Sequence, residues 1–160
     1  MDRRMKRGRT TLAIASDHAG LEMKRHLLDA MEEWGFEVLD LGPLAAASVD
    51  YPDYAEAVAE RVSRGLSKAG VLVCGTGVGM SIAANKFPGV RAALLYDDYT
   101  ARHARMHNDA NIAVFGGRTM TAEEAVNRLR IFLAEPFGKG RHARRVRKIG
   151  QIEKRLGLQA

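Results

Sequence analysis

The single cysteine of this 160-residue chain stands directly before a glycine-rich turn, in VLVCGTGVGMSIAANK, residues 71–86. Gly75, Gly77 and Gly79 give G-x-G-x-G, without the third-glycine spacing of a dinucleotide fingerprint or the G-K-[ST] of a phosphate-binding loop. Consecutive backbone amides free of side chains, opening a helix from about Met80, form a nest for a phosphate or a developing oxyanion. A thiol at a helix N-terminus beside such amides favours its thiolate form, which makes Cys74 a candidate base or nucleophile. Thr76 adds a hydroxyl that can hold or pass a proton. Two bland readings stand beside this one: a plain tight turn, and a cysteine that is only a small buried apolar residue.

Further groups able to do chemistry are spread along the chain. Asp17-His18 occur in SDHAG, Asp50, Tyr51 and Asp53 in VDYPDYA, His107-Asn108 in RMHNDAN and Arg118 in GGR. In GRHARR, Arg141 and Arg145 are spaced to share a helix face, an arrangement that suits a phosphate clamp as well as a solvated surface. Asp98 is expected to cap the helix that His107 ends. No metal-ligand spacing of Cys and His occurs.

What must position these groups is a set of short apolar runs alternating with segments of helical period. LAIAS (12–16), EVLDL (37–41), GVLVC (70–74), VRAALLY (90–96) and NIAVFG (111–116) read as strands covered on both faces. Residues 20–34 and 53–67 have helical spacing. TAEE at 121–124 opens a helix through Leu133, and a basic helix is expected over roughly 141–156. Five β–α alternations predict a three-layer α/β/α sandwich around a five-stranded parallel, Rossmann-like sheet. Ligands of such sheets bind beyond the carboxyl ends of the strands. Asp17-His18, the 42–53 loop, Cys74 with its glycine turn, and Arg118 all follow strands, so they are expected to converge on one edge.

Charge narrows the partners. The net charge is +6, with residues 1–10 carrying +4, residues 139–160 carrying +7 and the segment between them −5. Basicity therefore sits in the two ends, and no basic stripe with interleaved aromatics marks a nucleic-acid face. No apolar run approaches the roughly 20 residues of a membrane span. The chain reads as a basic tail (1–10), one domain (11–149) and the end of the last helix (150–160). One cysteine and no secretory pattern suit a cytoplasmic protein.

Taken in order, ASDHAG, DYPDYA, CGTGVGMSIAANK, HNDANIAVFGGR and GRHARRV resemble the B-type ribose-5-phosphate isomerases and their galactose- and allose-phosphate relatives, over residues 11–149. The resemblance implies a cofactor-free, metal-independent interconversion of ribose 5-phosphate and ribulose 5-phosphate through an enediolate, in the non-oxidative pentose phosphate pathway. It makes Cys74 the base between C1 and C2, Thr76 an aid to proton movement between the oxygens, and the amides of Gly75, Gly77 and Gly79 the oxyanion site. His107 would open the furanose ring, and Asp17 and Asn108 would bind sugar hydroxyls. His18, Arg118, Arg141 and Arg145 would surround the phosphate, with Tyr51 shaping the pocket. Some relatives place a glutamate base where this chain has Met80. The alternatives are another phosphorylated aldose (allose 6-phosphate, galactose 6-phosphate or a tetrose phosphate) and a non-catalytic nucleotide- or RNA-binding module.

His107 precedes the fifth strand whereas Cys74 ends the third, which puts them toward opposite sheet edges about 20 Å apart. A homodimer with shared active sites is therefore expected, with a tetramer left open.

Overall fold

The computed structural model describes residues 11–158; the expected basic tail, 1–10, lies outside them. Five strands, β1 (Thr11–Ser16), β2 (Glu37–Asp40), β3 (Ala69–Cys74), β4 (Ala92–Leu94) and β5 (Ile112–Gly116), form one sheet in the order β2-β1-β3-β5-β4. Every neighbouring pair is parallel. Six helices connect and follow them: α1 (Leu21–Glu33), α2 (Tyr51–Ser63), α3 (Val78–Ala84), α4 (Asp98–Asn108), α5 (Ala122–Ala134) and α6 (Arg141–Arg155).

Alternation along the strands builds two cores. Leu12 and Ile14 of β1, Val71 and Val73 of β3, and Ala113 and Phe115 of β5 pack with α1, α4 and α5. Their neighbours Ala13, Ala15, Leu72, Cys74, Ile112 and Val114 pack on the other face with α2 and α3. Period-two side-chain direction thus turns continuous apolar runs into the middle layer of the expected sandwich. Burial of this kind, at about 25 cal/mol per Å² of apolar surface, is the main force holding the layers together.

The β1→β2 and β4→β5 connections run across one face, and β2→β3 and β3→β4 across the other. The chain reverses direction between β1 and β3, which opens a crevice at their carboxyl ends. Local boundaries differ from the sequence reading where side chains cap or interrupt. The second helix begins at Tyr51 rather than residue 53, because Pro52 sits in its first turn, where a missing N–H costs nothing. The cap of α4 is Asp97, not Asp98: its carboxylate accepts from the Thr100 amide at 2.6 Å, and Thr100 Oγ1 accepts from the Asp97 amide in return. The fourth strand pairs over only three residues, since it lies at the sheet edge. The basic helix α6 forms as expected, contacts α4 and buries none of its residues.

Candidate active site

Cys74 closes β3 at the switch point, and its side chain is 95 % shielded from solvent, with 5 % exposure. Its Sγ accepts a hydrogen bond from the Gly77 amide at 3.1 Å, so the turn wraps back over the sulfur. That fold-back requires Gly77 at φ +81, where an added Cβ would stand 3.1 Å from the Phe115 carbonyl and 2.5 Å from Leu94 Cδ1. Thr76 Oγ1 accepts from the Val78 amide at 3.3 Å, which turns the hydroxyl toward the start of α3. At Gly79 a Cβ would meet the Tyr51 ring at 2.6 Å, placing the phenol directly over the turn.

The neighbouring strand ends lock onto the same turn. The Arg118 amide donates to the Gly75 carbonyl at 2.9 Å and the Gly117 amide to the Cys74 carbonyl at 2.7 Å. The Arg118 side chain passes within 3.6 Å of where a Gly75 Cβ would be. From β1, the Asp17 amide donates to the Val73 carbonyl, and its buried carboxylate accepts from the Gly20 amide at 3.0 Å. His18 Nδ1 accepts from the Val49 amide at 3.3 Å, tying the 42–50 loop to the site. Asp17, His18, Tyr51, Cys74, Gly75, Thr76, Gly77, Gly79 and Arg118 therefore all lie toward the carboxyl-end edge of the sheet, where the strand-end rule places ligands.

His107, Asn108, Arg141 and Arg145 do not join it. His107 and Asn108 end α4, ahead of Ile112, whereas Cys74 pairs with Gly116 at the far end of the same strand. Five residues of β5 separate the two levels, roughly 17 Å at about 3.3 Å per residue. Among the described residues no hydrogen bond, ion pair or ring contact joins the two groups. His107 instead stacks on His142 of α6, centroids 4.1 Å apart and planes 11° apart, and meets His103 edge-on at 4.6 Å.

Desolvation holds the His107 imidazole below its ordinary value of 6.5, and the charges of His103, Arg141 and Arg145 add to the effect. His142 is lowered in the same way, by desolvation first and then by His107, Arg141 and Arg145. The second group is thus a cationic cluster in which desolvation and neighbouring charge favour the neutral form of the His107 and His142 imidazoles. The end of α4 that carries it is braced. Asp109 adopts φ +47, its carboxylate accepts from Arg105 at 2.9 Å, and Arg91 grips the Asp109 carbonyl at 2.8 and 2.9 Å.

The sequence reading gave no role to His103, His142, Arg91 or Asp109. The 99–103–107 spacing was the available signal for His103, since residues four apart share a helix face. His142 and Asp109 lay inside motifs already singled out. Arg91 carried no local signal, because it acts across 18 residues of chain. Among the described residues no group of three or more His, Cys, Asp and Glu is arranged to hold a metal ion.

A sequence model of the Ribose/Galactose Isomerase family matches residues 12–149. The chain belongs to that family. It is 42 % identical over 144 residues to ribose-5-phosphate isomerase B of Escherichia coli, covering 90 % of this chain and 97 % of that one. Among solved structures it superposes on ribose-5-phosphate isomerase B of Clostridium thermocellum with a TM-score of 0.90 at 46 % identity, covering 91 % and 99 % of the two chains. The Mycoplasma genitalium isomerase, solved with bound ribulose 5-phosphate, gives 0.87 at 42 % identity, covering 90 % and 96 %. Membership disfavours the non-catalytic nucleotide- or RNA-binding alternative, and it accounts for a glycine turn that fits no nucleotide fingerprint.

Proposed function

We propose that this chain interconverts D-ribose 5-phosphate and D-ribulose 5-phosphate as an aldose–ketose isomerase of the cytoplasm. The observation that carries the reading is a buried Cys74 sulfur held against the amide of a helix-opening glycine turn, in a family whose Mycoplasma genitalium member holds the ketose product. Cys74, as thiolate, takes the proton from C2 of the open aldose, and electrons move onto the aldehyde oxygen O1. The amides from Gly75 to Gly79 stabilise that oxyanion. The Thr76 hydroxyl passes the O2 proton to O1, and Cys74 returns its proton to C1, leaving the carbonyl at C2.

The cyclic sugar must open first. His107 accepts the anomeric hydroxyl proton and delivers one to the ring oxygen, a task suited to an imidazole kept neutral at the working pH. Asp17 and Asn108 bind hydroxyls. His18, Arg118, Arg141 and Arg145 take the phosphate, whose binding energy fixes a small and flexible substrate. Tyr51 closes the crevice over the turn.

These roles need His107 and Cys74 on one sugar, so the working unit is a two-fold dimer in which each site takes Cys74 from one protomer and His107 from the other. Support comes from the separation of the two groups along β5 and from Ile149 and Ile152 of α6 and Leu156 just after it, which stay exposed although α6 packs on α4.

The test is turnover of ribose 5-phosphate in the presence of a metal chelator, with allose 6-phosphate and galactose 6-phosphate assayed alongside and Cys74→Ala as control. Ketose formation from the pentose that vanishes in the variant is the expected result. Faster turnover of a hexose phosphate would reassign the substrate, and no turnover of any of the three would remove the reading.

A further inference from the structure

Four rings form one continuous row of contacts along α4 and onto α6. Tyr99 lies on His103 with centroids 3.8 Å apart and planes 24° apart. His103 meets the His107 edge at 4.6 Å, and His107 lies on His142. His103 is itself oriented: its Nδ1–H donates to the Tyr99 carbonyl at 2.7 Å, which leaves Nε2 as the nitrogen free to gain a proton. The proposed reaction assigns no role to this third imidazole.

We propose that His103 is a positioning residue for His107: its ring fixes the orientation of the His107 imidazole, and its charge sets the lowest pH at which His107 still accepts a proton. The inference rests on the assignment of His107 to ring opening. Other charges near His107 are Arg141, His142 and Arg145 of α6. On the α5 side of α4, Arg102 pairs with Glu135, while Asp98 meets Arg128 and Asn127, so those charges are committed away from the stack. Arg105 is likewise held by Asp109 and the Ala110 carbonyl. His103 is therefore the neighbouring imidazole on His107's own helix, and at 4.6 Å a charge on one ring opposes a charge on the other. Protonating His103 opposes protonation of His107, which agrees in sign with its contribution to holding His107 below its ordinary value.

The test uses the full chain labelled in its imidazoles, with each histidine followed by NMR against pH, and the His107 signal assigned through His107→Gln. His103→Phe keeps a ring and removes the charge; His103→Lys keeps a charge and removes the ring. The His107 midpoint is expected to rise in His103→Phe and to fall in His103→Lys. The acid limb of kcat/KM for ribose 5-phosphate should follow, giving activity near pH 6 about two- to four-fold lower in the first variant than its own plateau predicts from wild type. Midpoints that stay at the wild-type value in both variants overturn the proposal and leave the isomerase reading intact. A loss of activity equal at every pH, with unmoved midpoints, also overturns it, since that is a structural effect. Midpoints that move while the activity limb stays fixed overturn the assignment of His107 to ring opening instead.

Discussion

At the scale of single residues, the proposed chemistry divides between a sulfur and an imidazole in different surroundings. Cys74 is enclosed, with one amide aimed at it, while His107 sits in a cationic stack at the surface. Replacing Cys74 by Ala removes the proposed base and leaves only a sulfur-sized gap, so kcat should fall by about 10²–10⁴-fold with a small change in melting temperature, read by steady-state kinetics and calorimetry. His107 and His142 make a second prediction, about stability against pH. Both have folded-state values below the ordinary 6.5, so the unfolded chain binds more protons as the solution acidifies. Their contribution to stability is present above about 6.5 and is lost as pH falls below it. The melting temperature should therefore drop between pH 7 and pH 5, and His107→Gln with His142→Gln should flatten that drop.

At the scale of elements, two devices hold the crevice in shape. One is the Gly77 turn at the start of α3, whose backbone no other residue adopts without strain. Gly77→Ala should destabilise the fold by about 1–3 kcal/mol in urea titration and move the amide that faces the sulfur. The other is Lys24 of α1, 1 % exposed, which donates to both oxygens of Asp40 at 2.7 and 2.9 Å and to the Pro43 carbonyl at 2.8 Å. Asp40 also accepts from the Gly42 amide. A helix that reads as amphipathic thus turns a lysine inward to anchor the loop that leads to Tyr51. Lys24→Met strands a partly buried carboxylate, and about 2–4 kcal/mol should be lost. Because the loop reaches His18 through Val49, KM for the sugar phosphate should rise as well.

At the scale of the whole molecule, the proposed sharing of sites between two protomers predicts complementation. Mixing inactive Cys74→Ala and His107→Ala proteins under conditions of subunit exchange forms mixed dimers in half of the population, each with one intact site of two. About a quarter of wild-type activity should return, and mass spectrometry of the native assemblies would show that mixed dimers had formed. Recovery of none despite mixed dimers would place both groups within one chain. Ile152→Asp on α6 should weaken association, seen as a lower mass in light scattering, and should lower activity in parallel.

Legibility followed the range of the forces involved. Strand and helix periods, the capping box at Thr121 and the glycine turn are local patterns, and they alone predicted five parallel strands in the right order along the chain. The strand-end rule then gathered Asp17, His18, Tyr51, Cys74 and Arg118, because every parallel strand points its carboxyl end to the same edge. Local pattern was therefore enough for the architecture and for the set of residues that the proposed chemistry uses. Tertiary structure decided the partners of Lys24 at Asp40 and Pro43, the brace of Arg91 on Asp109 and the stacking of His107 on His142. Those depend on which helices pack together and on how far a long side chain reaches across the fold, and neither distance is written in local spacing.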